Sequence, residues 1–229
     1  RPGNQFEGIL TAMSFAVMLF DLDDTLYPST SGVWDAIGDR MDSYIIKTLG
    51  VAANEVKQIR NGLFHEYGTT LRGLKTLYHI DERDFLDYVH DIPLAQFLGK
   101  DEALIETISA YDSRKVIFTN ANQGHAERVL EVLGLADFFP EIVDVLQISP
   151  YCKPLPQAYQ KALEIIQIED PEHCVFIDDS PRNLKTAREM GFYTIQVGTE
   201  NRCEFADAAI LSLLDLPDVI PSSHKTMER

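Results

Sequence analysis

The chain has 229 residues, and 20 Lys and Arg stand against 36 Asp and Glu, a formal net charge of −16. Hydrophobic residues make up 45% and charged residues 24%, a globular composition on a chain long enough to bury a core without disulfide staples. Such acidity excludes nucleic acid and anionic membrane surfaces as main partners, because both need a basic face.

Residues 1–13 are expected as a tail, and no long apolar run follows them to form a leader. The longest apolar stretch, 15–20, is too short to span a bilayer. Within it, Val17–Phe20 reads as a buried strand ending at Asp21-Leu22-Asp23-Asp24. Next come helical patterns at Val33–Leu49, 53–67 and Glu82–His90, and then a helix at 101–111 returns to the sheet. A second apolar run, 116–118, ends at Thr119-Asn120. Gln123–Leu133 is helical, with Ala126, Val129, Leu130 and Leu133 on one face and Gly134 closing it. A weaker strand at 142–145 precedes Lys153-Pro154 and the helix Pro156–Ile166. The run 174–177 ends at Asp178-Asp179; a helix over 180–190 follows, with Ser180 as N-cap and Pro181 in its first turn. Tyr193–Val197 is the last strand.

This alternation predicts a doubly wound (Rossmann-like) α/β fold, a parallel sheet with helices on both faces. From Thr25 to Val116 the chain runs about ninety residues, against about thirty for a βαβ unit. The expected organisation is therefore a core of 14–27 and 99–215, an all-helical insertion at 28–98, and a C-terminal tail at 216–229, of which 222–229 reads as polar. Cys152, Cys174 and Cys203 are an odd, widely spaced set, as expected of a reduced cytoplasmic protein.

Ligand sites in open α/β sheets lie beyond the carboxyl ends of the strands. Here those ends carry Asp21 and Asp23, Thr119 and Asn120, and Asp178 and Asp179. So many converging carboxylates stay ionised together only beside a cation, and oxygen ligands favour a hard ion such as Mg²⁺. Lys153 at the same edge would supply a positive charge.

At these residues the chain resembles the haloacid dehalogenase-like hydrolases. Asp21-Leu22-Asp23-Asp24-Thr25 looks like their first motif, and Ile117-Phe118-Thr119-Asn120 like the second. Lys153-Pro154 looks like the third, and Phe176-Ile177-Asp178-Asp179-Ser180 like the fourth. Asp23-Asp24-Thr25-Leu26-Tyr27-Pro28, with Tyr67-Gly68-Thr69-Thr70-Leu71-Arg72-Gly73-Leu74, narrows the likeness to the pyrimidine 5′-nucleotidase branch.

The resemblance implies that Asp21 is a nucleophile forming an aspartyl-phosphate and that Asp23 is the general acid and base. Thr25 would orient Asp23. Thr119, with the amides of Asn120 and Ala121, would hold phosphoryl oxygens, and Lys153 would offset their charge. Mg²⁺ would sit on Asp21, the Asp23 carbonyl and Asp179, with Asp178 acting through water. Asn183 stands where many relatives carry another acid. The insertion would be a helical cap presenting Thr69, Thr70 and Arg72 to the substrate.

His65 and Tyr67 could stack on a base or pack within the cap. Trp34 is expected in the cap core and His125 on a helix surface. The six histidines show no metal-ligand spacing. The expected activity is Mg²⁺-dependent hydrolysis of a small phosphorylated metabolite, with pyrimidine nucleoside 5′-monophosphates favoured. Sugar-phosphate or phosphoglycolate-type substrates are the alternative. A catalytically idle regulatory protein is the alternative of another class, and the intact set Asp21, Asp23, Lys153 and Asp179 argues against it.

Overall fold

The computed structural model describes residues 15–222. The expected tail 1–13, and 223–229 of the second, lie outside the described residues. The strands are β1 Val17–Phe20, β2 Arg114–Phe118, β3 Glu141–Val143, β4 Cys174–Asp178, β5 Tyr193–Val197 and β6 Ala208–Ile210. They form one parallel sheet in the order β3-β2-β1-β4-β5-β6. All four residues of β1 are buried, which is why this central strand reads as an unbroken apolar run. Alternate residues still divide between two cores. Val17, Leu19, Val116, Phe118 and Phe176 pack with Tyr159 on one face, while Met18, Phe20, Ile117 and Ile177 join the other.

Four helices fill the long connection between β1 and β2: α1 Val33–Leu49, α2 Val56–Tyr67, α3 Thr70–Tyr78 and α4 Glu82–His90. The third was not among the helical patterns read from the sequence. Gly68, at φ 89°, ends α2, and the Thr69 side chain then accepts the Arg72 amide at 3.1 Å to start α3. The remaining helices are α5 Glu102–Ser109, α6 Gln123–Leu133, α7 Pro156–Ile166, α8 Pro181–Glu189 and α9 Leu216–Val219. Helices cover both faces of the sheet, as expected of a doubly wound fold.

Three local expectations need correction. Ser180 sits at the N-cap of α8, but its side chain makes no cap bond; its amide instead donates to Asp178 Oδ1 at 2.8 Å. β6 was not expected, since Ala-Ala-Ile is too short to show a period. Finally, 216–220 packs on the core rather than standing apart as a tail: Leu216 and Ile220 are buried, and Tyr111 Oη donates to the Ile220 carbonyl at 2.9 Å. Leu216→Ala is accordingly expected to cost about 2–5 kcal/mol, read as a lower urea midpoint at unchanged slope.

Candidate active site

β1 and β4 are neighbours where the strand order reverses, the place where a doubly wound sheet opens a crevice. The Asp21 amide donates to the Ile177 carbonyl at 2.9 Å, which carries the β1–β4 ladder one residue past the strand. Asp21 therefore rises from a rigid strand end. A cavity of about 420 Å³ opens beyond it, lined by Asp21, Asp23, Asp179, Lys153 and Thr119 on the core side.

Lys153 is 1% exposed. Its Nζ donates to Asp21 Oδ1 at 2.7 Å and to Asp178 Oδ2 at 3.0 Å. Burial disfavours its charge, but Asp178 and Asp21 outweigh that and raise its pKa, so it stays an ammonium. Its backbone is gripped by Asn120, whose Oδ1 accepts the Lys153 amide at 2.9 Å while Nδ2 donates to the Lys153 carbonyl at 3.0 Å. The Asn120 side chain thus fixes the lysine loop, and Asn120 also lines the cavity. Thr119 is buried and its Oγ1 accepts the Ala121 amide at 2.9 Å, so that amide is committed within the loop.

Asp178 is fully buried and does not line the cavity. Beyond Lys153 and the Ser180 amide, it accepts both of its bonds from Asn183 Nδ2, each at 3.0 Å. Asn183 thereby ties α8 to the end of β4. Asp179 lines the cavity, and burial, then the charges of Asp178 and Asp24, push its carboxyl up to about 7. Burial also raises Asp21 well above the usual range, with Asp178 and Asp179 adding to it against the pull of Lys153. Carboxylate oxygens of Asp21, Asp178 and Asp179 lie within 4.8 Å of one another. This crowded, all-oxygen set fits a hard divalent cation, which would relieve the repulsion.

Asp23 faces the cavity from the same loop. Burial alone would raise its pKa, but the adjoining His125, and hydrogen bonds from His125 and Tyr27, hold it down to about 2. His125 Nε2 lies 2.9 Å from Asp23 Oδ1, and the Tyr27 hydroxyl donates to the same oxygen. His125 is 0% exposed, so it is not the helix-surface residue expected from the sequence. Its spacing from Val129 and Leu133, four and eight residues on, was the available signal. Thr25 is buried with Oγ1 unpartnered, so Asp23 is oriented by Tyr27 and His125 rather than by Thr25.

The insertion contributes further residues to the cavity wall, including Thr69, Thr70, Arg60 and Phe64. Arg72 is not in that wall; its Nη1 reaches the Tyr67 carbonyl at 3.4 Å. His65 and Tyr67 are also absent from it. Trp34, expected in a helical core, instead lines the cavity and is 47% exposed, and Phe64 does so at 42%. The Arg182 guanidinium sits 5.1 Å from the Phe64 ring centroid. Sequence patterning could not separate these aromatics from core residues, since both are apolar at helical spacing.

With strand ends, lysine and acidic cluster assembled, residues 15–191 match the haloacid dehalogenase-like hydrolase family, and the chain belongs to it. The yeast (Saccharomyces cerevisiae) protein called phosphate metabolism protein 8 is 28% identical over 76% of this chain. The chain spans only 59% of that relative's length. A phosphoglycolate phosphatase of Rhodospirillum rubrum is also 28% identical, over 76% of each chain. Among solved structures, a magnesium-bound hydrolase of this type from Bacillus subtilis superposes with a TM-score of 0.61 at 17% identity. That alignment covers 91% of this chain and 99% of the other. No helix among the described residues is long and apolar enough to cross a membrane.

Proposed function

We propose that the chain is a cytoplasmic, Mg²⁺-dependent phosphomonoester hydrolase working through an aspartyl-phosphate on Asp21. The observation that carries this reading is the Lys153 ammonium held between Asp21 and Asp178 at the cavity floor, with Asp179 beside them. A carboxylate nucleophile attacking an anionic phosphoryl group needs such a cation to remove repulsion. Asp21 Oδ2 forms the bond to phosphorus while the ester oxygen leaves and takes a proton from Asp23, whose carboxyl gains that proton when the anionic phosphoryl group beside it raises its pKa. Asp23 then draws a proton from water, whose oxygen displaces Asp21 and releases inorganic phosphate. Lys153 offsets charge on Asp21 and the phosphoryl oxygens throughout. Mg²⁺, held by Asp21, the Asp23 carbonyl and Asp179, would supply further neutralisation of the phosphoryl oxygens. Asp178 serves this set by holding Lys153 and Asn183.

The helical insertion acts in this reading as a cap that shields the site and selects the leaving group. Trp34 and Phe64 offer ring faces, and Arg60 and Arg182 offer donors, on the cavity wall. Aromatic faces with nearby guanidinium groups suit a planar base, which supports pyrimidine nucleoside 5′-monophosphates as substrates. The same two arginines would also suit a small phosphorylated acid, and the Rhodospirillum relative is named for one. Phosphate release by pure protein across nucleotides, sugar phosphates and phosphoglycolate separates the two. No Mg²⁺-dependent release from any of them, nor from an aryl phosphate, would sink the enzymatic reading.

The crowded carboxylates also predict a stability signature. Groups whose folded pKa is raised contribute stability below about pH 4 and lose it as pH rises through the folded value, about 7 for Asp179. Metal-free protein is therefore expected to melt at least about 3 °C higher at pH 6 than at pH 8. Saturating Mg²⁺ should remove most of that difference, and Asp179→Asn should reduce it without metal. A scanning-fluorimetry series with and without chelator reads both.

A further inference from the structure

The Asp23 carboxylate is held by residues that none of the four sequence motifs includes as functional. His125 Nε2 and the Tyr27 hydroxyl both meet the same oxygen, Oδ1. A carboxylate oxygen between two donors is an acceptor only, so Nε2 carries the hydrogen of His125 and a proton on Asp23 must reside on Oδ2. The paired donors also stop the carboxyl from rotating and exchanging its two oxygens.

The His125 ring is itself immobilised. It packs against His90 with centroids 4.2 Å apart and planes 17° apart. His90 Nδ1 lies 2.9 Å from Asn122 Oδ1, which also accepts the His125 amide at 3.2 Å. Arg128 Nη2 donates to the His90 carbonyl at 2.6 Å, and Asn122 Nδ2 to Asp87 Oδ1 at 3.1 Å. His90 and Asp87 belong to α4 in the insertion, whereas Asn122, His125 and Arg128 belong to the start of α6 in the core. Three of these four bonds, all but the His125 amide to Asn122, therefore cross between the insertion and the core.

We infer that His125 and Tyr27 are positioning residues that clamp Asp23 Oδ1 and present Oδ2 for proton transfer, with His90 of the insertion as the buttress. The inference rests on the proton-transfer role proposed for Asp23. In that step Oδ2–H breaks as the new O–H bond forms on the departing ester oxygen, and Asp21 Oδ2 becomes bonded to phosphorus. In the next step a water O–H breaks, its proton returns to Oδ2 and its oxygen displaces Asp21. His125 and Tyr27 exchange no proton with substrate. They keep Oδ2 on line for both steps, and the stack carries the position of α4 to the proton-transfer group.

Leaving-group dependence tests this. An alkyl phosphomonoester such as a nucleoside 5′-monophosphate needs its departing oxygen protonated, whereas 2,4-dinitrophenyl phosphate does not. His125→Ala is expected to lose about 10²-fold in the single-turnover rate with the alkyl ester, while the dinitrophenolate burst stays within about threefold of wild type. Tyr27→Phe, which keeps its ring and its packing, should lose about tenfold in the same selective way. His125→Gln, which restores an N–H near the Nε2 position, should recover at least about tenfold.

Asp23→Asn should show the same selectivity and sets its full size. Equal losses on both esters for His125→Ala and Tyr27→Phe, beside a selective loss for Asp23→Asn, overturn the clamp alone. Equal losses for Asp23→Asn overturn its proton-transfer role and the clamp with it. Wild-type protein that hydrolyses neither ester overturns the hydrolase reading itself.

Discussion

Asp21→Asn is expected to lower turnover at least about 10⁴-fold while leaving the folded structure intact. An amide oxygen cannot form the acyl phosphate, so no remaining group can divide the displacement into two steps. Stability should not fall with activity. Burial and the neighbouring carboxylates raise the Asp21 pKa, so its ionised form is a net cost at pH 8 that the neutral amide removes. Lys153 keeps Asp178 as its partner. The expected result is a dead enzyme whose thermal midpoint at pH 8 is equal to or above that of the wild type. Wild-type protein quenched during turnover should carry a phosphoryl group on the peptide containing Asp21, read by mass spectrometry. A variant with near wild-type turnover would refute the assigned nucleophile.

Lys153→Met is expected to damage both rate and stability. The rate should fall about 10²–10³-fold, the usual loss when one preorganised charge facing a transition state is removed. The methionine fills much of the same volume against Phe118 and Phe176, whose ring centroids lie 5.2 and 5.3 Å from Nζ. The electrostatic defect remains, because Asp21 and Asp178 stay buried without their cation. Breaking a buried pair in this way costs about 3–5 kcal/mol. The deficit should shrink between pH 8 and pH 6, since protonated carboxyls need no cation. Urea midpoints across that range check the sign. A deficit that does not change with pH would point to packing instead of charge.

Much of the site was legible because its chemistry sits where the fold demands it. Asp21, Thr119 and Asp178 each follow an apolar run that had to be a buried parallel strand, and strand ends in such sheets face one edge. Lys153 was legible only beside them, as a lone lysine before proline carries little information. What stayed hidden depends on contacts between distant segments. His125 lies 102 residues from Asp23, and nothing local says that a histidine on the apolar side of α6 meets a carboxylate. Asn120 was read for its backbone amide, and only the fold shows that its side chain also grips the lysine loop. Trp34 and Phe64 occupy positions where helical spacing predicts burial, and the empty volume beside them has no signature in one chain. Thr70 was placed in the cavity wall from motif likeness, while Arg72, two residues on, turned back onto the Tyr67 carbonyl.

The α4–α6 junction has a consequence for how such a chain can change over time. The proposed reactive groups stand at strand ends, and α1 to α4 form a single continuous stretch of chain between β1 and β2. Exchange of that segment would graft a new preference onto old chemistry without disturbing a strand. His90 limits that modularity, because a transplanted segment must also supply a flat group to lie against His125. Grafts that lack one should acquire new recognition yet run slowly, and compensating changes should gather at the His90–His125 seam.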